Sequence, residues 1–187
     1  MRQFAFLFSV LIALSGRGIA SSGLPMIVVS VPDQRLAVVE NGVCTAKYSI
    51  STSKFGVGDR PRSFATPLGM LQVAAKVGGD APVGAVFRGQ RRTGEILRPN
   101  APGRDPIVTR ILHLRGLEAQ NCRAYRRGIY IHGTAEENRI GRPASYGCIR
   151  MKSRDVVRLF DSVPVGAKVE IVNTRLSRAL PAVVASL

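Results

Sequence analysis

Two residues of this chain have the types and surroundings for nucleophilic chemistry: His132, which ends the strand-like run "GIYIH", and Cys148, inside "SYGCIRM". A cysteine attacks only as its thiolate, so a thiol of ordinary pKa about 8.5 needs a base or cation beside it. It also needs backbone N–H groups aimed at the oxyanion that develops on the attacked carbonyl. Gly147, directly before Cys148, lets the chain turn tightly and lets a substrate approach the backbone. The N–H groups of Tyr146, Gly147 and Cys148 are therefore the candidate oxyanion donors. His132 reaches the sulfur if the loop "GTAEENRIGRPASY" doubles back, which Gly133 and Gly141 ease. No aspartate lies close in sequence to orient the imidazole, so a backbone carbonyl is expected to do it. The competing reading makes both residues structural, as most single His and Cys residues are.

Strands must deliver this pair, and strands dominate the chain. "MIVVSVPDQRLAVVENGVCTAKYSIST" reads as three of them: Ile27–Val31, a Pro32-Asp33 turn, Leu36–Val39, an Asn41-Gly42 hairpin and Cys44–Ile50. Met70–Val77, "PIVTRILHLRG", "GIYIH" and "AKVEIV" follow as further strands. Residues 78–105, rich in Gly, Pro and Arg, read as a long loop or lid with one short strand inside. Val156, Leu159, Phe160 and Val163 fall at helical spacing, with Ser153 as N-cap, Asp155 in the first turn and Pro164 as the stop. The tail "NTRLSRALPAVVASL" is expected to be loose or weakly helical. His113 alternates with apolar neighbours and reads as a half-exposed strand histidine. Tyr130 reads as packing, and Glu136 and Glu137 as solvated. Carboxylate clusters and Cys/His ligand sets are missing, so neither metal nor cofactor is expected.

A chain of 187 residues has the length of one domain with a real core. Its first twenty residues differ from the rest: Arg2, an apolar run Phe4–Leu14, then Gly18 and Ala20 ahead of Ser21. That is the pattern of a secretory signal at 1–20, and its apolar run falls short of the ~20 residues that span a bilayer. The mature protein is expected to be exported to the periplasm or cell wall, without a transmembrane anchor and as a monomer. The formal charge of +15 draws the surface towards polyanions. Nucleic acid is not expected as a partner, since the arginines are scattered and the binding motifs of such proteins are missing. Of three cysteines, Cys44 and Cys122 are free to pair, leaving Cys148 alone.

Residues 129–151 resemble the signature of the L,D-transpeptidase catalytic domain, the YkuD family: a strand ending in HGT, an IG turn, then S-x-GC-I/V-R-M/L. Here these read "IHGT", "RIGRPAS" and "SYGCIRM", with the histidine and cysteine sixteen positions apart. "ATPLGMLQV" is similar to the family's TP-x-G-x-F/Y turn, with Leu71 in place of the aromatic. The likeness runs from about Met26 to Val172, which gives a catalytic domain at 26–173 and a tail at 174–187. The resemblance implies a mainly β fold, a sandwich or barrel with one or two short helices. It implies that Cys148 attacks a peptidoglycan stem tetrapeptide before its terminal D-alanine, with His132 as the partner base, and passes the acyl group to an amine. Ser145 and Gly147 would shape the site, while Gly133 and Thr134 would support the histidine. Arg150 would hold the loop or contact a substrate carboxylate, the plain alternative being a structural ion pair. Tyr146 departs from the family, standing where many members place a histidine or another polar residue. Water as acceptor gives an L,D-carboxypeptidase, a protein acceptor gives wall tethering, and a non-catalytic basic wall-binding protein is the rival from another class.

Overall fold

The computed structural model describes residues 23–185, so the leader expected at 1–20 lies outside the described residues. The chain opens with three antiparallel strands, β1 (Met26–Ser30), β2 (Arg35–Glu40) and β3 (Val43–Ser51). Asn41 and Gly42 join the last two at φ of 50° and 76°. Both residues are left-handed, as a tight hairpin turn matching strand twist requires. Then come β4 (Gly69–Val77), β5 (Ala85–Arg88), β6 (Arg91–Ile96) and the long β7 (Ile107–Gly116). The segment 78–105 thus holds a two-stranded hairpin rather than a single short strand. After β8 (Tyr130–Thr134) and the three-residue β9 (Ile149–Met151) come helix α1 (Ser153–Ser162), β10 (Lys168–Val172) and helix α2 (Leu176–Ala185).

All ten strands belong to one sheet, ordered β4-β10-β1-β2-β3-β9-β8-β7-β5-β6, and β4 also pairs with β7. That second pairing closes eight strands into a ring and leaves the β5–β6 hairpin outside it. Closure removes edges that would otherwise offer unpaired backbone. The fold is mainly β, as expected. The ring's interior is filled by Ile27, Val29, Leu36, Ile50, Leu71, Leu112, Ile131 and Ile149, with Val156, Leu159 and Phe160 of α1 packed against them. The helical spacing of those three, with buried Val163 following, accounts for how α1 lies on the core.

Two expectations about helices change. Ser153 is the first helical residue rather than the cap, and its N–H is taken by the Glu137 carboxylate at 2.8 Å. The tail is an ordered helix. Leu176, Ala179 and Val183 of α2 cover Met26, Val28, Ala37 and Val39 on the outer face of β1 and β2, and Asp33 accepts the Leu176 N–H at 2.7 Å. Burying a leucine or valine side chain stabilises by about 1.5–3 kcal/mol, enough to order such a segment. Cys44 and Cys122 are not bonded; all three thiols are free. Among the described residues no helix is long and apolar enough to cross a membrane.

Candidate active site

Strands β8 and β9 run parallel, with His132 opposite Arg150 and Ile131 opposite Ile149. Cys148 immediately precedes β9, so the pairing sets it one diagonal step from His132. Both line a pocket of about 150 Å³ with Asp105, Ser145, Tyr146 and Arg150. The sequence loop does double back. Its path is pinned at both ends: Gly141 N–H donates to the Ile50 carbonyl, and Ser145 N–H to that of Thr52.

His132 is buried, and its Nδ1 lies 2.8 Å from the Gly133 carbonyl. A carbonyl only accepts, so Nδ1 carries the proton and Nε2 keeps its lone pair. The expected carbonyl orienter is therefore present. Gly133 is required for a separate reason, since a Cβ there would sit 2.5 Å from the Val108 carbonyl of β7. Burial pushes the His132 pKa down to about 4, against opposing pulls from Gly133 and Asp105, with Arg150 adding to the drop. Burial pushes the Cys148 thiol up to about 11, moderated by a backbone hydrogen bond from Tyr130 and by Arg150 and Arg127. The thiol points at the Gly128 carbonyl, 3.3 Å away. At neutral pH the resting pair is a neutral thiol beside a neutral imidazole.

The turn before Cys148 is built as a rigid bracket. Gly147 has φ of 116°, which favours glycine. The Ser145 hydroxyl donates to the Cys148 carbonyl at 2.6 Å and receives the Gly147 N–H at 3.2 Å. Thr66, from the "ATP" turn, donates to the Gly147 carbonyl at 3.0 Å and receives the Ser53 N–H at 3.0 Å. Of the three expected oxyanion donors, Gly147 is already committed. The N–H groups of Tyr146 and Cys148 have no acceptor among the described residues. The Tyr146 side chain turns outward, 57% exposed.

Arg150 is held by two carboxylates, Asp105 at 2.7 Å and Glu136 at 3.2 Å, with its own side chain 8% exposed. The ion-pair alternative describes its ground state. Thr134 serves the same cluster by donating its hydroxyl to Asp105. Asp105 escaped the sequence reading, which found no aspartate near the histidine. It sits at the end of the 78–105 segment, and β7 brings it in by pairing Ile107 with Thr134. Glu136 and Glu137 are half-buried and engaged rather than solvated. His113 is buried rather than half-exposed: Tyr125 stacks on it at 3.9 Å, and its pKa falls because of that burial.

The sequence model of the L,D-transpeptidase catalytic domain, YkuD, matches residues 25–171. The chain belongs to that family. YqjB of Bacillus subtilis (strain 168), named as an L,D-transpeptidase, is 29% identical over 155 residues, 83% of this chain and 75% of that protein. ErfK/SrfK of Escherichia coli (strain K12), likewise named, is 49% identical over 43 residues, 23% of this chain and 14% of its own length. Among solved structures, the L,D-transpeptidase of Xylanimonas cellulosilytica superposes with a TM-score of 0.53 at 20% identity, covering 81% of this chain and 62% of that one. LdtMt1 in complex with imipenem gives 0.51 at 22% identity, covering 80% and 59%. At such identities these likenesses show the fold, and the chain spans about three-fifths of those solved chains.

Proposed function

We propose that this protein is an exported cysteine acyltransferase that joins peptidoglycan stem peptides through a thioester on Cys148, an L,D-transpeptidase forming 3-3 cross-links. The observation that carries the reading is one pocket lined by a cysteine and by a histidine whose Nε2 is left free to take a proton. The scissile carbonyl, between the third and fourth residues of a stem tetrapeptide, sits at Sγ. As the C–S bond forms, the thiol proton passes to His132 Nε2 and the oxyanion is met by the N–H groups of Tyr146 and Cys148. The C–N bond then breaks, and D-alanine leaves with the proton that His132 returns. An incoming amine attacks the thioester and gives its proton to His132; the C–S bond breaks, and the expelled sulfur takes that proton back as the thiol.

Ser145, Gly147 and Gly133 shape this site, while Thr134 and Arg150 hold its acidic wall. The leader at 1–20 directs export, and the domain works at the cell wall, where the formal charge of +13 that remains without Arg2 and Arg17 (15 − 2) favours anionic polymers. Water in place of the amine makes the carboxypeptidase. The non-catalytic wall binder is not marked by a sluggish thiol, because a resting thiol near pKa 11 is slow to alkylate even in a working enzyme.

The test is mass spectrometry of the protein with a disaccharide-tetrapeptide, beside Cys148→Ser. A cross-linked dimer short of one D-alanine, absent with the variant, supports the transpeptidase. A tripeptide product alone reassigns it as a carboxypeptidase. No product and no acyl-enzyme mass would sink the reading.

A further inference from the structure

Beside the pocket, three aromatic side chains stand together in solvent. Phe55, Phe64 and Tyr146 are 50%, 51% and 57% exposed, with ring centroids 5.4–5.8 Å apart. Aromatic residues bury roughly 150–250 Å² each, so half-exposure of three leaves a patch on the order of 300 Å², the size at which a surface patch acquires meaning. Lys54 rims it, its ammonium 4.5 Å from the Tyr146 ring centroid, 5.2 Å from that of Phe55 and 3.1 Å from the Tyr146 hydroxyl.

The patch is held open. Phe64 has φ of 54°, a left-handed conformation that costs a bulky residue energy and persists only where the surroundings enforce it. Ser53 enforces it, its hydroxyl donating to the Phe64 carbonyl and accepting the Phe55 N–H at 2.9 Å. Arg127 donates to the Ala65 carbonyl at 2.6 Å and is itself paired with Asp59. Lys54 N–H donates to the Ser145 carbonyl at 3.1 Å, joining the patch to the segment that carries the nucleophile. Tyr146 lines both the Cys148 pocket and a second cleft of about 160 Å³, shared with Arg62 and Phe64.

We propose that this aromatic platform is a carbohydrate subsite that stacks the glycan to which the stem peptide is attached; the proposal rests on the acyl-transfer reading above. A pyranose ring presents a face of C–H groups with positive edges and a rim of hydroxyls. That suits the electron-rich faces of aromatic rings fringed by a cation. Chain reach puts Tyr146 within range of such a sugar. Three extended peptide residues between a sugar and the scissile bond span at most about 10–11 Å. Tyr146 is two residues from Cys148, at most ~7 Å along the chain. The phenylalanine ring centroids lie 5.4–5.8 Å from that of Tyr146.

The test uses Cys148→Ser protein, which binds without turnover, and calorimetry with two probes: a disaccharide-tetrapeptide and the same tetrapeptide without sugar. The disaccharide is expected to tighten binding by about tenfold. Adding Phe55→Ala should weaken the sugar-bearing probe about fivefold while leaving the free tetrapeptide within twofold, the scale of one lost aromatic contact. Equal affinity for both probes overturns the proposal, as does an equal loss on both in the variant. A dimer at working concentrations that Phe55→Ala dissolves also overturns it, assigning the patch to self-association. Turnover of both substrates by the unmutated protein with equal kcat/KM would remove only the platform. Turnover of neither, with no binding of either, would remove the acyl-transfer reading beneath it.

Discussion

Replacing Arg150 with methionine would test the buried charge cluster that walls the site. The side chains involved are nearly dry: Arg150 is 8% exposed and Asp105 11%, with 2.7 Å between them. Removing one partner of a buried pair costs about 3–5 kcal/mol, because it strands an uncompensated charge. Glu136 adds less, since it is 26% exposed and keeps Arg139 at 3.4 Å. The net expectation for Arg150→Met is a loss of about 4 kcal/mol, a large share of a typical 5–15 kcal/mol stability. Urea unfolding at pH 7 reads it directly. The double variant Arg150→Met/Asp105→Asn should regain about half, since the amide removes the stranded charge while its carbonyl still accepts from Thr134. A cost below about 1 kcal/mol, or a double variant no better than the single, would refute the argument.

Three further outcomes follow from the same geometry. Raising the Cys148 thiol from 9.0 to about 11 leaves ~100-fold less thiolate at neutral pH. Iodoacetamide at pH 7.5 should therefore label exposed Cys122 well before Cys148, as peptide mass spectrometry would show; equal rates would contradict the neutral resting pair. His132 takes a proton near 6.5 when unfolded but only near 4 when native. Between those values the unfolded chain binds more protons, so stability rises with pH across the window and is lost on acidification, by about 3 kcal/mol in full. Replacing His132 with glutamine should flatten that slope in chemical unfolding curves. Glu137→Ala strips the acceptor from the Ser153 N–H and should cost about 1 kcal/mol, with Glu137→Gln retaining part of it.

Much of this molecule was legible in its sequence where the local pattern and the final environment agree. Asn41-Gly42 specified its own turn, and the spacing of Val156, Leu159, Phe160 and Val163 identified both the helix and its buried face. Cys148 and His132 stood out because glycines and a strand end gave each a recognisable setting. What escaped depends on partners distant in sequence. β9 is three residues long and exists only because β8 and β3 flank it. β6 lies outside the ring and is exposed along most of its length, so "RRTGEI" has no alternation to read. The order of α2 was written elsewhere: "MIVVS" is buried at every position, which calls for a cover on both faces of β1. Asp105 carries no local signal and becomes a site residue only through the antiparallel register of β7 and β8. His113 kept its strand alternation, but Tyr125, from the connection after β7, closes over it.

The ring of eight strands has a consequence for how this protein could diversify. The β5–β6 hairpin shares strand pairing with the ring at two residue pairs, Val86 with Val108 and Phe87 with Ile107, and seats Ala85 and Phe87 in a buried cluster with Ile111. At its tip Gln90 touches His113 and Tyr130, and its return ends at Asp105 on the site wall. None of the strands that close the ring passes through it. β5 is thus anchored in the core while exposed β6 is the part open to lengthening or exchange, provided Asp105, nine residues past β6, still delivers a carboxylate to Arg150. Sequence can drift in such a segment while the frame of the pocket stays under a separate constraint.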